Sequence, residues 1–259
     1  MNETLRLIHD RVSVRRYEQR PIEPGHIDAI VHSAIRAPTA GNLMLYSILQ
    51  IDDPHKKARL AETCEHVFIA DAPLVLLFLA DMQRWHDYYQ AFNVPQYCQR
   101  EGLSFDTPDA GKLMMACCDA LLAAQNSVIA AESLGIGSCY IGDILGHCKE
   151  HRALFELPPW TFPIALLCYG YVPDESERKP RERFDRRFIH HQDVYRRLNK
   201  SDFLQMMAGI EAKFADFLRK KERSLAEQTY LSFTSGEAGR EHARSVETML
   251  DGWLSKPSS

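Results

Sequence analysis

The sequence predicts an α+β fold in which a mixed β-sheet lies between layers of helices. Two uninterrupted apolar runs, 74–80 and 162–170, are typical of strands covered on both faces. Between them, residues 107–134 carry small and apolar side chains nearly all round a helix, which indicates a buried helix at the centre of the core. The chain has 259 residues and no linker rich in glycine or serine, so we expect one domain with an appended tail.

Local signals place the other elements along the chain. Helices are predicted, from helical spacing, caps and first-turn prolines, at 5–8, 24–38, 53–64 and 148–155. Residues that favour β-structure predict two further strands, at 46–51 and 136–141. Gly135 stands where the long helix has to end, because glycine adopts the left-handed conformation of a helix C-terminus at little cost.

Residues 81–108 interrupt this order with aromatic side chains that follow no clear period. A lid over a pocket and an irregular excursion packed on the core are both consistent with this composition. The aromatic residues are Trp85, Tyr88, Tyr89, Phe92, Tyr97 and Phe105. Two apolar helical stripes beyond residue 198 predict a C-terminal helical extension over 199–259, attached to a core over 1–198.

Composition argues against several classes of protein. Lys+Arg 31 against Asp+Glu 35 gives a net charge of −4, which offers nucleic acid no bulk electrostatic attraction. The seven scattered cysteines are odd in number and indicate free thiols in a reducing compartment. We recognise no signal peptide and no apolar run long enough to span a bilayer, so we expect a cytoplasmic protein without a membrane or nucleic-acid partner.

The most distinctive chemistry lies close to the N-terminus, in a basic segment that contains a serine. In extended chain Arg11, Ser13 and Arg15 point to one side, while Val12 and Val14 point to the other. Guanidinium groups bind phosphate through two parallel hydrogen bonds and stay charged at any relevant pH. The segment is therefore either a binding stripe for a planar, multiply charged ligand or a solvated basic turn. In the second case Arg15 pairs with Asp10 or Glu18.

Six short motifs follow one another along the chain. They are Arg11-x-Ser13-x-Arg15, Ala37-Pro38-Thr39-Ala40-Gly41-Asn42, Ala72-Pro73, Ala131-Glu132-Ser133-Leu134-Gly135-Ile136-Gly137 with Tyr140-Ile141-Gly142, Leu154-Phe155-x-Leu157-Pro158, and Lys179-Pro180-Arg181. Together they make residues 4–198 similar to the FMN-dependent nitroreductase family, in the branch with a long C-terminal extension. The resemblance implies a mainly antiparallel sheet flanked by helices and an intertwined homodimer.

The resemblance also implies roles for individual residues. Cations from both ends of the core, Arg11 and Arg181 among them, are expected at the FMN phosphate. Arg15 is expected beside N1 and O2 of the flavin, and the main chain of Gly142 beside N5. The loop 38–42 matches a segment that reaches the flavin of the partner subunit. The implied cofactor-binding set is Arg11, Val12, Ser13, Arg15, Pro38, Thr39, Ala40, Gly41, Asn42, Tyr140, Ile141, Gly142, Lys179 and Arg181.

Four positions depart from the family pattern. Val12 stands where relatives often carry a second basic residue, and Met44 and Leu45 stand where many carry glutamine and proline. Val67 stands in place of a glutamine at the flavin pyrimidine ring. Their effect on flavin binding and on the choice between NADPH and NADH is not fixed by the sequence.

The function implied by the resemblance is two-electron transfer by a ping-pong mechanism. NAD(P)H reduces FMN, and a small-molecule acceptor (a nitroaromatic, a quinone or free flavin) then takes the electrons. Because the flavin carries the chemistry, we expect no indispensable acid–base side chain. Dehalogenation, flavin fragmentation, and a flavin sensor or carrier without turnover remain alternatives.

Two histidines are candidate ligands for a metal ion. His147 and His151 lie at helical spacing, which would place two possible metal ligands on one helix face. No second cluster of ligands is evident, so we expect no metal and interpret the pair as part of a solvated helix face.

Overall fold

The computed structural model describes residues 1–173 and 180–255. Contacts divide the chain into two compact units, one formed by residues 1–179 with 241–259 and the other by residues 180–240. The chain therefore leaves the first unit and later returns to it. The division into a core over 1–198 and an extension over 199–259 stays a prediction.

A four-stranded antiparallel sheet forms the centre of the first unit. Its strands are β1 (Tyr46–Gln50), β2 (Leu74–Asp81), β3 (Ile136–Ile141) and β4 (Thr161–Tyr171), in the order β1-β2-β4-β3. Every residue of β2 is buried, as its uninterrupted apolar run predicts. The predicted α+β class and the mainly antiparallel sheet are confirmed.

Helices cover both faces of this sheet. Helices α2 (Pro24–Ile35) and α7 (Ala110–Ser133) contribute to one apolar cluster with side chains of all four strands. Helices α3 (Pro54–Thr63) and α4 (Phe68–Asp71) contribute to a second cluster on the opposite face. Burial on both faces is the reason why the central strands carry no polar alternation.

Helix α7 has two different faces. Asp109, two residues after the predicted start of the helix, caps it by accepting a hydrogen bond from the N–H of Lys112, and Gly135 with φ 71° follows its end. The face towards the sheet is buried, but the opposite face is exposed and largely apolar. Its residues are Met114, Met115, Cys118, Leu121 and Leu122. The prediction that α7 is buried all round is therefore wrong for a single chain.

The length and hydropathy of helix α7 also resemble those of a membrane-spanning helix. By length and composition it is capable of crossing a bilayer, contrary to the expectation from the sequence. Its contacts with α2 and with the sheet are those of a core helix, and a core helix satisfies the same criteria.

Two helices occupy the stretch for which the sequence showed no period. They are α5 (Gln83–Ala91) and α6 (Val94–Arg100), and they are separated by Asn93 in the left-handed conformation, with φ 56°. Aromatic rings of α5 contact one another, with 4.7 Å between the centroids of Tyr88 and Phe92. The aromatic residues therefore do not form a single stripe towards the core, which explains why the sequence shows no helical period here. A lid role for 81–108 stays a prediction.

Three further helices contribute to the first unit. These are α1 (Glu3–Asp10), α8 (Cys148–Leu154) and the C-terminal part of α11 (Glu237–Leu254). Trp253 of α11 is buried, and its indole N–H donates to the carbonyl of Asp109, 3.2 Å away. The indole N–H of Trp160 in turn donates to the carbonyl of Trp253, at 3.1 Å. The last helix is thus fixed to the same core that the first helices build.

The second unit is helical. It contains α9 (Lys200–Lys220), α10 (Leu225–Thr229) and a short 3₁₀ turn over Arg186–Phe188. Both helices begin with a capping box, in which the side chain of the N-cap residue and that of the third helical residue each accept from the other's main-chain N–H. These reciprocal bonds define where the predicted tail helices start.

The segment after α1 is attached to the edge of the sheet at two points. The N–H of Val14 donates to the carbonyl of Ser138 at 2.9 Å, and the N–H of Glu18 donates to the carbonyl of Tyr171 at 2.9 Å. A parallel bridge between Ser13 and Ser138 makes the sheet mixed at its β3 edge. The basic segment therefore follows an edge strand instead of extending into solvent.

Two glycines allow this close packing. A Cβ atom at Gly137 would lie 2.5 Å from Cγ2 of Val14, and one at Gly170 would lie 2.7 Å from Cδ1 of Tyr17. Val14 and Tyr17 are both buried. Any larger residue at either position would push the basic segment away from the sheet.

Substitution Gly170→Ala is expected to lower the free energy of unfolding by about 1–3 kcal/mol, because the new methyl group overlaps the Tyr17 ring. Urea denaturation followed by circular dichroism measures this change. Gly25→Ala is the matched control, since a Cβ at Gly25 meets no atom within 4 Å and the residue lies in the first turn of α2. Equal stability of the two variants would contradict the packing described here.

Candidate functional site

The basic segment presents its polar residues on one side. Ser13 and Arg15 are exposed, Arg11 is half-buried, and Val14 is buried beneath them. Val12 is half-buried as well. Around Val14 the exposure alternates as the sequence predicts, but Arg11 and Val12 are equally half-buried, and Val14 anchors the segment to the sheet.

The guanidinium groups of this stripe are available for a ligand. Glu18 pairs with Arg20 at 3.0 Å. Within residues 1–173 and 180–255, neither Arg11 nor Arg15 takes part in an ion pair. The alternative in which Arg15 pairs with Asp10 or Glu18 is thus not observed in this part of the chain.

The end of β3 lies close to the stripe. Partial burial raises the pKa of Tyr140 to about 12, and the nearby positive charge of Arg11 acts in the opposite direction. The hydroxyl of Tyr140 donates to Gln125 of α7 at 3.4 Å, while Ile141 is buried in the core. The carboxyl end of β3 is thereby held between α7 and the basic segment.

Gly142 follows β3 directly and begins a 3₁₀ turn over Gly142–Leu145. Gly142 is exposed, and a Cβ atom built on it would meet no atom within 4 Å. The space beside this main chain is therefore open, on the same strand end that Arg11 approaches.

The loop before β1 has an unusual backbone. Gly41, Asn42 and Met44 all have positive φ, at 58°, 59° and 48°. The hydroxyl of Thr39 accepts a hydrogen bond from the N–H of Met44 at 2.7 Å, which closes the loop. Pro38, Gly41 and Asn42 are exposed, and Thr39 and Ala40 are half-buried. The loop is well defined and presents main chain outward.

Asp119 of α7 holds this loop from beneath. Its carboxylate accepts hydrogen bonds from the N–H of Ala40, at 3.0 and 3.3 Å, and from the N–H of Leu45, at 3.2 Å. Asp119 is only 3 % exposed. The sequence analysis missed it, although an acidic residue inside an otherwise apolar helix is a signal that could have revealed it.

Two of the predicted phosphate ligands lie outside the described part of the first unit. Lys179 lies outside the described residues, and Arg181 is an exposed residue of the second unit. Their roles stay predictions. Two of the residues that depart from the family pattern lie on the surface, since Val67 is 83 % exposed and Met44 is exposed as well.

The histidine pair does not form a solvated helix face. His151 is 1 % exposed; its Nδ1–H donates to the carbonyl of Ile144 at 3.1 Å, and its Nε2 accepts from the hydroxyl of Thr63 at 2.9 Å. Burial lowers the pKa of His151, which favours the neutral ring that these bonds require. In the part of the chain that the structure describes, no group of three metal-binding side chains is arranged to hold an ion.

The comparison with protein families decides the identity of the fold. The model of the nitroreductase family matches residues 8–171, which include the basic segment, the loop 38–42 and the turn after β3. This chain belongs to the nitroreductase family.

Individual relatives are similar over most of the chain. An FMN reductase (NADPH) of Bacillus subtilis is 29 % identical over 89 % of each chain. An NADPH-dependent oxidoreductase of Staphylococcus epidermidis is 31 % identical over 73 % of this chain and 72 % of its own. Among solved structures, the NfrA1 nitroreductase of B. subtilis superimposes with a TM-score of 0.76 at 26 % identity, covering 95 % of this chain and 98 % of that one.

Substitution Asp119→Asn in this nitroreductase is expected to lower the free energy of unfolding by about 1–3 kcal/mol, because the amide NH₂ replaces an oxygen that accepts a buried N–H. The amide protons of Ala40 and Leu45 are expected to exchange faster with solvent. Hydrogen exchange with mass spectrometry measures the second effect. Asp28→Asn, at an exposed position of α2, is the control, and unchanged exchange in Asp119→Asn would contradict the anchoring role.

Proposed function

We propose that this member of the nitroreductase family is an NAD(P)H-dependent oxidoreductase with FMN as its cofactor. The observation that carries the proposal is the pairing of open space at Gly142 with the cationic stripe along the neighbouring strand. The relatives support it, because the FMN reductase (NADPH) of B. subtilis is similar over most of both chains.

The described residues fit FMN in three respects. The side chains of Arg11 and Ser13 offer charged and hydroxyl donors suited to a phosphate group. Arg15 adds a second cation on the same exposed side. The absence of a Cβ at Gly142 leaves main chain accessible to a flat ring, since nothing occupies the space within 4 Å of that position.

Each part of the site contributes a separate effect. Charge-assisted hydrogen bonds from Arg11 and Ser13 to a phosphate would contribute about 1.5–3 kcal/mol each where they are shielded from solvent. The fixed positive charge of Arg15 favours an electron-rich ligand over its electron-poor form, which directs the equilibrium towards reduction. Bound FMN supplies hydride acceptance from NAD(P)H and two-electron transfer to a nitroaromatic, quinone or flavin acceptor, in ping-pong order.

A homodimer is the second part of the proposal. The apolar face of α7 repeats at helical spacing, and Met114 at its start is 67 % exposed. A second copy of the chain would remove this face from water, as obligate dimer interfaces do. The exposed loop 38–42 is then available to approach the cofactor of the partner subunit. A cytoplasmic location stays a prediction, based on seven free cysteines.

The purified protein is expected to be yellow, or to become so with added FMN, and to bleach when NADPH is added anaerobically. Gly142→Val is expected to fold like the parent, because the new side chain enters open space, but to bind FMN at least about tenfold more weakly since it occupies that space. FMN fluorescence titration and oxidation of NADPH with menadione measure these effects. A colourless protein that takes up no FMN would refute the proposal; FMN binding without turnover would favour a sensor or carrier.

Substitution Arg15→Ala is expected to retain FMN and to slow its reduction by NADPH by about tenfold or more, because a positive charge near the reacting ring is lost. Stopped-flow absorbance under anaerobic conditions measures the reductive half-reaction. Arg36→Ala, at an exposed position after α2, is the control and is expected to behave like the parent. An unchanged rate for Arg15→Ala would remove this residue from the mechanism.

Substitution Leu122→Asp is expected to shift the protein to monomers, since burying a charge in an apolar interface raises the dimer dissociation constant by about 100-fold or more. Sedimentation velocity at several concentrations measures the shift. Val67→Asp introduces the same charge at another exposed apolar residue, beside α4, and is expected to leave the dimer intact. A parent protein that is monomeric at micromolar concentration would contradict the dimer.

A further inference from the structure

The turn after Gly142 is held by a carboxylate between two imidazoles. Oδ2 of Asp143 accepts a hydrogen bond from Nε2 of His66 at 3.1 Å, and Oδ1 of Asp143 faces Nε2 of His242 at 3.4 Å. His66 lies between α3 and α4, and His242 lies on α11. Each carboxylate oxygen thus has its own partner, from an element far away in the sequence.

The remainder of the turn is fixed by main-chain bonds. The carbonyl of Asp143 accepts from the N–H of Gly146 at 3.0 Å, and the carbonyl of Ile144 accepts from the buried His151. A Cβ atom at Gly146 would lie 3.3 Å from Cδ2 of His242. Glycine at this position therefore lets the His242 ring lie directly on the turn.

Helix α11 continues this contact beyond His242. The side chain of Glu241 accepts from the N–H of His147 at 3.1 Å, and the hydroxyl of the buried Ser245 accepts from the N–H of Cys148 at 3.0 Å. Three positions along one stretch of α11 hence bind consecutive parts of segment 143–148. This pattern is a specific attachment of the C-terminal helix to the turn that begins at Gly142.

We propose that Asp143, held by His66 and His242, is a positioning residue that fixes the main chain of Gly142 for the cofactor. The proposal rests on the proposed function, which places FMN beside Gly142. A carboxylate with a hydrogen bond on one oxygen and an imidazole facing the other is restrained in rotation, which favours one orientation of the peptide between Gly142 and Asp143. A main chain that is ordered before binding loses less entropy when a ligand binds to it.

The two histidines allow the effect to be tested without disturbing the core, because their side chains are 36 % and 32 % exposed. His242→Ala and His66→Ala remove one partner each. His242→Gln keeps an N–H donor, since the glutamine Nε2 can reach a position similar to that of the imidazole Nε2. His55→Ala, at an exposed position of α3, is the matched control.

Three measurements are made on every variant. Hydrogen exchange of residues 142–146 reports the order of the turn, both in the protein as isolated and with saturating FMN. Fluorescence titration gives the FMN dissociation constant. Stopped-flow absorbance at saturating FMN gives the rate of flavin reduction by NADPH, which separates occupancy of the site from its geometry.

Both alanine variants are expected to exchange faster in 142–146 and to raise the FMN dissociation constant about three- to tenfold, a modest effect because the contacts of the two imidazoles with Asp143 are partly exposed. Flavin reduction at saturating FMN is expected to slow as well. His242→Gln is expected to restore the parent values to within about twofold, and His55→Ala to match the parent.

The outcomes distinguish failure of the proposed FMN function from failure of the positioning role of Asp143 alone. If the parent binds no FMN, the proposed function fails and the positioning role fails with it. If the parent binds FMN while the alanine variants keep its dissociation constant and rate, the positioning role alone is overturned. Faster exchange without any change in FMN binding or reduction overturns it too, because the clamp would then order the turn without serving the cofactor.

Discussion

The close contact between the N-terminal segment and the edge of the sheet is the constraint on which the candidate site depends. Gly137 and Gly170 leave no side chain between the two strands and the residues that cover them, so Val14 and Tyr17 are buried directly on the backbone. This contact places Arg11 near the end of β3, beside Tyr140. Without it the cations and the open space at Gly142 would belong to unrelated parts of the surface.

The order of the site comes from buried polar groups as much as from apolar packing. Asp119 fixes the loop before β1, and His151 fixes the turn after β3. Both are buried, where an unmet hydrogen bond is costly, so each group holds its partner more firmly than an exposed residue would. The loop proposed to approach the partner's cofactor and the turn that begins at Gly142 are thus attached to helices α7 and α8.

Most of the fold could be predicted from the sequence because its signals are local. Long apolar runs gave β2 and β4, and caps, prolines and Gly135 located the helices. The two helices within residues 81–108 could not be predicted, because their aromatic rings contact one another and form no single apolar stripe. The exposure of one face of α7 could not be predicted either. Hydropathy indicates that a face avoids water, but it does not show which surface covers that face.

The site was only partly predictable, because its supporting contacts join distant residues. The stripe at Arg11, Ser13 and Arg15 follows from strand alternation, which one segment reveals. The clamp of His66 and His242 on Asp143 joins residues that are 77 and 99 positions apart, and nothing local marks them. The predicted role of Lys179 and Arg181 in phosphate binding depends on long-range geometry, which local sequence signals do not contain.

The return of α11 to the first unit gives the chain an unexpected topology. Residues 180–240 form a unit of their own, and the chain on both sides of it belongs to the first unit. Insertions of this kind can change in length or composition between relatives while the flanking ends keep their attachment. Exchange of this segment among homologues is therefore compatible with an unchanged first unit, because the buried Trp253 keeps the end of α11 attached there.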